Sequence, residues 1–306
     1  MGNVVVHPSA RSVAATSSVR ARKLADGIAT VILWAMASSI IVMLAAFIVY
    51  MVYLGWSALT PSFIFGMPKQ TTAGGGIGPE IYNSFYILVL TLIFTVPIAV
   101  AAGVYIQEYA LPGMFRSVVQ FSAESLATIP SVVMGLFGLL VFVYLFHWQF
   151  TALGGALTLT LLNLPALMRV TQEALASVPD TLREASMGLG GTKWQAITRV
   201  VLPSAIGRLT TGVVLIAGRI FGETAALIFT AGLSVPFNHP YDLNPFRPAE
   251  TLAVHLWYTH SESIVPDVDR IGNGSALVLL IMVLLFNVAA RVLGRRLTRH
   301  FTGRSS

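Results

Sequence analysis

The 306 residues include no cysteine, so the chain has no disulfide framework, thiolate metal site or redox motif. Charge is scarce too: 10% of residues are Asp, Glu, Lys or Arg, against about 25% in an ordinary soluble domain. No Walker sequence Gly-x-x-x-x-Gly-Lys-Ser/Thr occurs. Gly188 to Lys193 comes nearest, but Thr192 precedes the lysine and Trp194 follows it, so the chain is not expected to hydrolyse ATP itself and no bound cofactor is expected. The six histidines, at 7, 147, 239, 255, 260 and 300, lack a helical metal spacing. His255 and His260 are five apart, which puts them on different helix faces, and no metal site is expected.

What the chain has instead is apolar length. It is 55% hydrophobic with a mean hydropathy of +0.76, and its solvent is therefore lipid. A bilayer core of about 30 Å takes roughly 20 apolar residues as a helix. Six stretches meet that length: 28–54, 81–106, 118–146, 153–170, 209–231 and 274–290. The first is too long for a signal-peptide core and is read as an uncleaved anchor. The third contains Pro130, which predicts a kink or a tilt. No inverted repeat and no helix broken at mid-membrane is evident, which speaks against a secondary transporter or channel.

A net charge of +6 would make nucleic acid a candidate partner for a soluble protein. Here the cations sort by side of the membrane, and no nucleic-acid partner is expected. Arg11, Arg20, Arg22 and Lys23 precede the first span, Arg116 follows the second, and Arg183, Lys193, Arg199 and Arg208 follow the fourth. Arg291, Arg295, Arg296, Arg299 and Arg304 end the chain, while the opposite face has only Lys69, Arg247 and Arg270. This imbalance places both termini in the cytoplasm. The expected organisation is a basic tail (1–26), a first transmembrane helix (27–55), an extracytoplasmic loop (56–80), a core (81–293) with an internal loop at 177–203, and a second basic tail (294–306). The glycine run at 74–76 lacks the lysine and the strand–helix setting of a phosphate cradle and reads as a turn. Residues 251–258 mix aromatic, aliphatic and polar side chains and read as a helix at the membrane interface.

The loop at 177–203 has its own structure. Ser177 is placed to cap a helix with Pro179 and Asp180 in its first turn, ending at the glycines 188–191. Thr192 and Gln195 have the spacing of a capping box, and Pro203 is expected to stop the second helix. Trp194, Ile197 and Val201 then share a face too short to span a membrane, which packs either on the chain's own spans or on a partner. Glu184, Ala185 and Gly190, followed by Val200, Leu202 and Pro203, resemble the EAA motif of binding-protein-dependent ABC importer permeases. The resemblance implies that this bent pair couples to a cytoplasmic ATPase, with Glu184 at the contact.

Two arginines lie inside the spans, where an ionised group costs about 2.5–3.5 kcal/mol on insertion scales. Arg219, ten residues after Leu209, falls roughly 15 Å into the core. Glu223, one turn on, is expected on the same helix face. Arg169 is likewise followed by Glu173, near the inner end of the fourth span. Each pair has a bland reading: an ion pair that only neutralises itself, or, for Arg169, a side chain reaching headgroups. The functional reading is an oxyanion pathway. A guanidinium gives two parallel charge-assisted bonds, and a carboxylate accepts a hydrogen bond from the protonated oxygen of hydrogen phosphate, which sulfate does not offer at neutral pH.

The stretches around Arg219 and Arg169, with Pro97 to Ala110 and Pro130 to Gly138, are similar to those of PstA-type permease subunits of the phosphate-specific ABC importer. The resemblance runs from about Gly74 to the C-terminus; Glu124 departs from it. It implies an all-α membrane protein with six transmembrane helices and the type I importer permease (MetI-like) fold. In a bacterial cytoplasmic membrane the chain would form half of a pathway for inorganic phosphate. Its partners would be a second homologous permease, two copies of a cytoplasmic ATPase subunit that uses ATP, and an extracytoplasmic phosphate-binding protein. A same-family permease for sulfate or molybdate is the alternative.

Overall fold

A computed structural model describes residues 10–69 and 71–302. Among these every regular element is helical. The chain divides into two units after Leu54. The first is built on α1 (Ala10–Gly55), a single uninterrupted helix of 46 residues with the length and composition to cross a membrane.

The second unit begins with α2 (Pro61–Phe65), followed by α3 (Gly78–Val104), which closes in a π-helical turn at Tyr105–Tyr109. Next come α4 (Met114–Ala127) and α5 (Ser131–Gly138), the latter extended by a π-helical segment to Leu145, and then α6 (Ala152–Ala176). The internal loop holds α7 (Asp180–Gly188) and α8 (Lys193–Ala196), which leads through a π-helical turn into α9 (Leu202–Gly222). Short α10 (Ala225–Ile228) and α11 (Leu252–Ser261) precede the long α12 (Val268–Thr302). Five helical stretches, α1 included, are long and apolar enough to cross a membrane, and α4 with α5 makes the sixth if that bent pair counts as one span.

Two of the expected spans are not continuous, contrary to the reading that no span is broken. The third turns by 100° between α4 and α5. Proline disfavours helical geometry in the residue before it, so the helix gives out at Thr128 and Pro130 starts the next one. The fifth stops at Gly222. Glu223 adopts an extended conformation (φ −75°, ψ 120°), and the chain restarts in α10. Glycines at 218 and 222 weaken the last turn of α9, and tertiary packing completes the break. A Cβ on Gly135 of α5 would stand 2.9 Å from the Ala226 Cα, and one on Gly155 of α6 would stand 2.9 Å from the Ala231 Cβ. Only bare backbone on α5 and α6 lets the 225–231 segment seat there.

The main core runs along the α3–α6 pair and takes in α9 and α12, with Ile87, Leu88, Leu159, Leu167, Ile220 and Ile271 all nearly or fully inaccessible. Within α3–α6, Gly103 meets Thr171 and the Met168 carbonyl, and Thr95 donates to Thr160 at 3.1 Å. A smaller cluster of Val104, Ala174, Leu175, Val178, Ile197, Val201, Ala205 and Leu209 joins the ends of α3 and α6 to the internal loop. The glycine run at 74–76 forms a turn in which Gly74 (φ +84°) donates to Asp267 at 3.0 Å, and Gly76 packs on Gly66.

Candidate functional site

In the internal loop, α7 and α8 are joined by a turn that needs φ +86° at Gly190, a conformation natural to glycine. Thr192 and Gln195 form the expected capping box, and α7 ends at Gly188 as expected. Two local readings are corrected. Ser177 does not cap α7; it ends α6, donating to the Ala174 carbonyl at 2.7 Å, and Pro179 takes the cap position. Pro203 does not stop the second helix, which continues from Lys193 to Gly222. The π-helical turn at Ile197–Val201 shifts the backbone pairing, and the proline falls in the first turn of α9, where a missing N–H does little harm.

The face shared by Trp194, Ile197 and Val201 divides. Ile197 and Val201 are buried in the chain's own smaller cluster, whereas Trp194 remains 62% exposed. Glu184, Ala185 and Gly190 are exposed, while Leu202 and Pro203 are half-buried at the start of α9. Leu182, Met187 and Leu189, the last 91% exposed, are, with Trp194, large apolar side chains left exposed in the same loop as Glu184.

Sequence reading counted Arg183 only as a loop cation and gave Glu108 no role. The structure joins them at 2.9 Å, with side chains 16% and 8% exposed. Arg183 also donates to the Leu175 and Val178 carbonyls and to Asp180, each within 2.8 Å. One guanidinium therefore ties the π-helical end of α3, the end of α6 and the first turn of α7 together. The available signal was an acid directly after an apolar span, in a stretch ending Gln-Glu-Tyr-Ala. An acid there needs a cation.

Arg169 donates to Glu173 at 3.3 Å, as the four-residue spacing predicts, and Glu124 of α4 lies 3.6 Å away on its other side. All three side chains are about two-thirds exposed. They line a groove of about 480 Å³ together with Gln107, Gln120 and Gln172. Glu124, unassignable from sequence, thus joins the arginine through a tertiary contact.

Arg219 and Glu223 are not brought together. Because α9 ends between them, they do not share a helix face, and Glu223 accepts from the Ala226 N–H at 3.3 Å instead. Among the described residues Arg219 forms no ion pair and no hydrogen bond. It is exposed on a stripe of α9 that reads Ser204, Arg208, Thr211, Leu215, Arg219, Gly222. Most of that stripe is polar or lacks a side chain, a poor match for acyl chains.

A third cluster was missed. His255 of α11 lies 3.0 Å from Glu250 and 3.8 Å from Glu80, in the first turn of α3. Burial draws the imidazole pKa down, but the hydrogen bond to Glu250 and the charges of Glu80 and Glu250 outweigh it, and the net shift is upward.

The family model described as "Binding-protein-dependent transport system inner membrane component" matches residues 96–303. A Bacillus subtilis protein, "Probable ABC transporter permease protein YqgI", is 43% identical over 92% of this chain and 99% of its own length. The "Phosphate transport system permease protein PstA" of Yersinia pestis is 33% identical over 74% of this chain and 75% of its own. Among solved structures, a bacterial alginate ABC transporter in complex with an alginate pentasaccharide-bound periplasmic protein aligns with a TM-score of 0.64 at 18% identity, over 88% of this chain and 95% of that one. An inward-facing MetNI methionine transporter aligns at 0.56 and 19%, over 73% and 95%. With its helical core, its bent internal loop and a match across two thirds of its length, the chain belongs to the inner-membrane permease family of binding-protein-dependent ABC importers, and its fold is theirs.

Proposed function

We propose that this permease forms half of a pathway for inorganic phosphate and opens it by alternating access, driven by a cytoplasmic ATPase. The observation that carries the reading is Arg219. It is a guanidinium without an ion pair among the described residues, on a largely polar stripe of a spanning helix, beside the point where the helix breaks. An exposed guanidinium on a spanning helix with no partner among the described residues is free to meet an anion that arrives, and its planar fork suits a tetrahedral oxyanion. The groove with Arg169, Glu124 and Glu173 adds a second arginine, this one set beside carboxylates. Phosphate, which carries a proton, suits such a mixed lining better than sulfate. Relatives named as phosphate transport permeases, from Yersinia pestis and Xylella fastidiosa among others, support the same substrate.

The ATPase contact is assigned to the α7–α8 elbow. Glu184 would meet the ATPase directly, with Ala185, Gly190, Leu202 and Pro203 setting the bend, and Leu182, Met187, Leu189 and Trp194 giving an apolar surface that a partner would remove from water. The remaining partners are a second permease, another ATPase copy and an extracytoplasmic binding protein. Both termini lie in the cytoplasm on this reading, because Lys and Arg are concentrated in the sequence segments that fall on that side of the spans.

The test is uptake by the complete reconstituted complex, with phosphate and sulfate compared before and after Arg219→Gln. Loss of charge-assisted bonds of about 1.5–3 kcal/mol should cut phosphate uptake at least ~10-fold with assembly intact. Unchanged phosphate uptake would remove Arg219 from the pathway. Equal sulfate and phosphate uptake by the unaltered complex would overturn the substrate.

A further inference from the structure

Glu80 sits in the first turn of α3 with no exposed side-chain surface, and among the described residues neither of its carboxylate oxygens has a hydrogen-bond partner. Glu250 and His255 face it from a different part of the chain, and one donor atom from each of the three lies within 4.8 Å of the others. The backbone at both acids is clamped. Asn83 donates to the Glu250 carbonyl at 3.1 Å, and Ser84 bridges the Glu80 carbonyl at 2.7 Å and the Leu252 N–H at 2.9 Å. The only ion-pair partner of either carboxylate among the described residues is His255 itself. Lys69 lines the adjoining cavity but donates to the Ala73 carbonyl.

We propose that Glu80, Glu250 and His255 bind one divalent transition-metal ion, for which zinc is the best match, and that the ion pins the first turn of α3 to α11. Two carboxylates and a neutral imidazole supply two negative charges and a nitrogen. That donor set suits zinc or its first-row neighbours, whereas calcium and magnesium take oxygen donors. Zinc–ligand bonds of 2.0–2.2 Å in a tetrahedron put donor atoms about 3.4 Å apart. The present separations of 3.0 Å (Glu250 to His255) and 3.8 Å (Glu80 to His255) bracket that value. A cavity of about 30 Å³ beside Glu250 and His255, lined also by Tyr258 and Thr259, has room for a water as fourth ligand. The site shares no residue with the arginine groove, Arg219 or the elbow, so its test is independent of the transport reading.

The full complex, purified through a tag without histidine and stripped with chelator, should take up about one Zn²⁺ per chain in calorimetric titration with zinc alone. His255→Gln and Glu250→Gln should each weaken uptake at least ~10-fold, no less than is usual for losing even an outer-sphere partner. In case a variant fails to fold, Co²⁺ loaded into the unaltered complex should give the strong visible absorption of a four-coordinate site. No stoichiometric zinc uptake, affinity unchanged in both variants, or only the weak absorption of six-coordinate cobalt would overturn the proposal and leave a proton shared among the three groups.

Discussion

Arg219 and Arg169 are both arginines within helices, yet their surroundings assign them different work. Arg169 already has two carboxylates within 4 Å in a wet groove. Exposed pairs of this kind are worth about 0–1 kcal/mol, so Glu124→Gln with Glu173→Gln should leave the thermal unfolding midpoint of the complex almost unchanged. If these acids discriminate against fully ionised anions, the same double variant should let sulfate compete with phosphate for uptake, measurable as a raised sulfate inhibition. Arg219 makes no such bonds among the described residues. Arg219→Lys should therefore fall between the native chain and Arg219→Gln in phosphate uptake, because an ammonium keeps the charge but loses the fork.

At the scale of the element, the junctions carry more information than the helices. Glu108 and Arg183 link the end of α3 to the start of α7 in a nearly buried pair. Removing one partner of a nearly buried pair costs about 3–5 kcal/mol where no other counter-ion remains; Asp180, 2.8 Å from Arg183, keeps that cation partly paired, so Glu108→Gln should cost less than this. Glu108→Gln should loosen the elbow, seen as basal ATP hydrolysis by the complex that no longer responds to the binding protein. Replacing both residues by a matched apolar pair should restore stability better than either single change. Gly103 is a packing counterpart. A methyl there would stand 2.6 Å from the Thr171 Cβ, so Gly103→Ala should overpack the α3–α6 contact by about 1–3 kcal/mol and lower the thermal midpoint.

For the whole molecule, the exposed apolar side chains of the elbow are the surface that the proposed ATPase contact would cover. Leu189 is the most exposed of them, so its side chain contributes little to the fold. Leu189→Glu should therefore leave the spans folded while weakening co-purification of the ATPase by about 2 kcal/mol, roughly 30-fold, if it behaves as an interface anchor. Full retention of the ATPase in this variant would move the contact elsewhere.

Apolar length, cation asymmetry and the spacing of Glu184, Ala185, Gly190, Leu202 and Pro203 are properties of the chain in one dimension. They settled the membrane class, the approximate spans and the position of the elbow, because lipid demands long apolar runs and caps act over three or four residues. The Arg169–Glu173 pair was legible for the same reason, being one helical turn apart. What tertiary structure alone decided lies between residues far apart in sequence: Glu124 at Arg169, Glu108 at Arg183, and Glu80 at His255. The break after Gly222 belongs with these. Its local signal was a pair of weak glycines, and it is completed by bare backbone on α5 and α6 that lets residues 225–231 leave the line of the helix. Local periodicity reads which face a residue occupies while a helix lasts; where the helix ends, and what meets its end, is set by packing against distant chain.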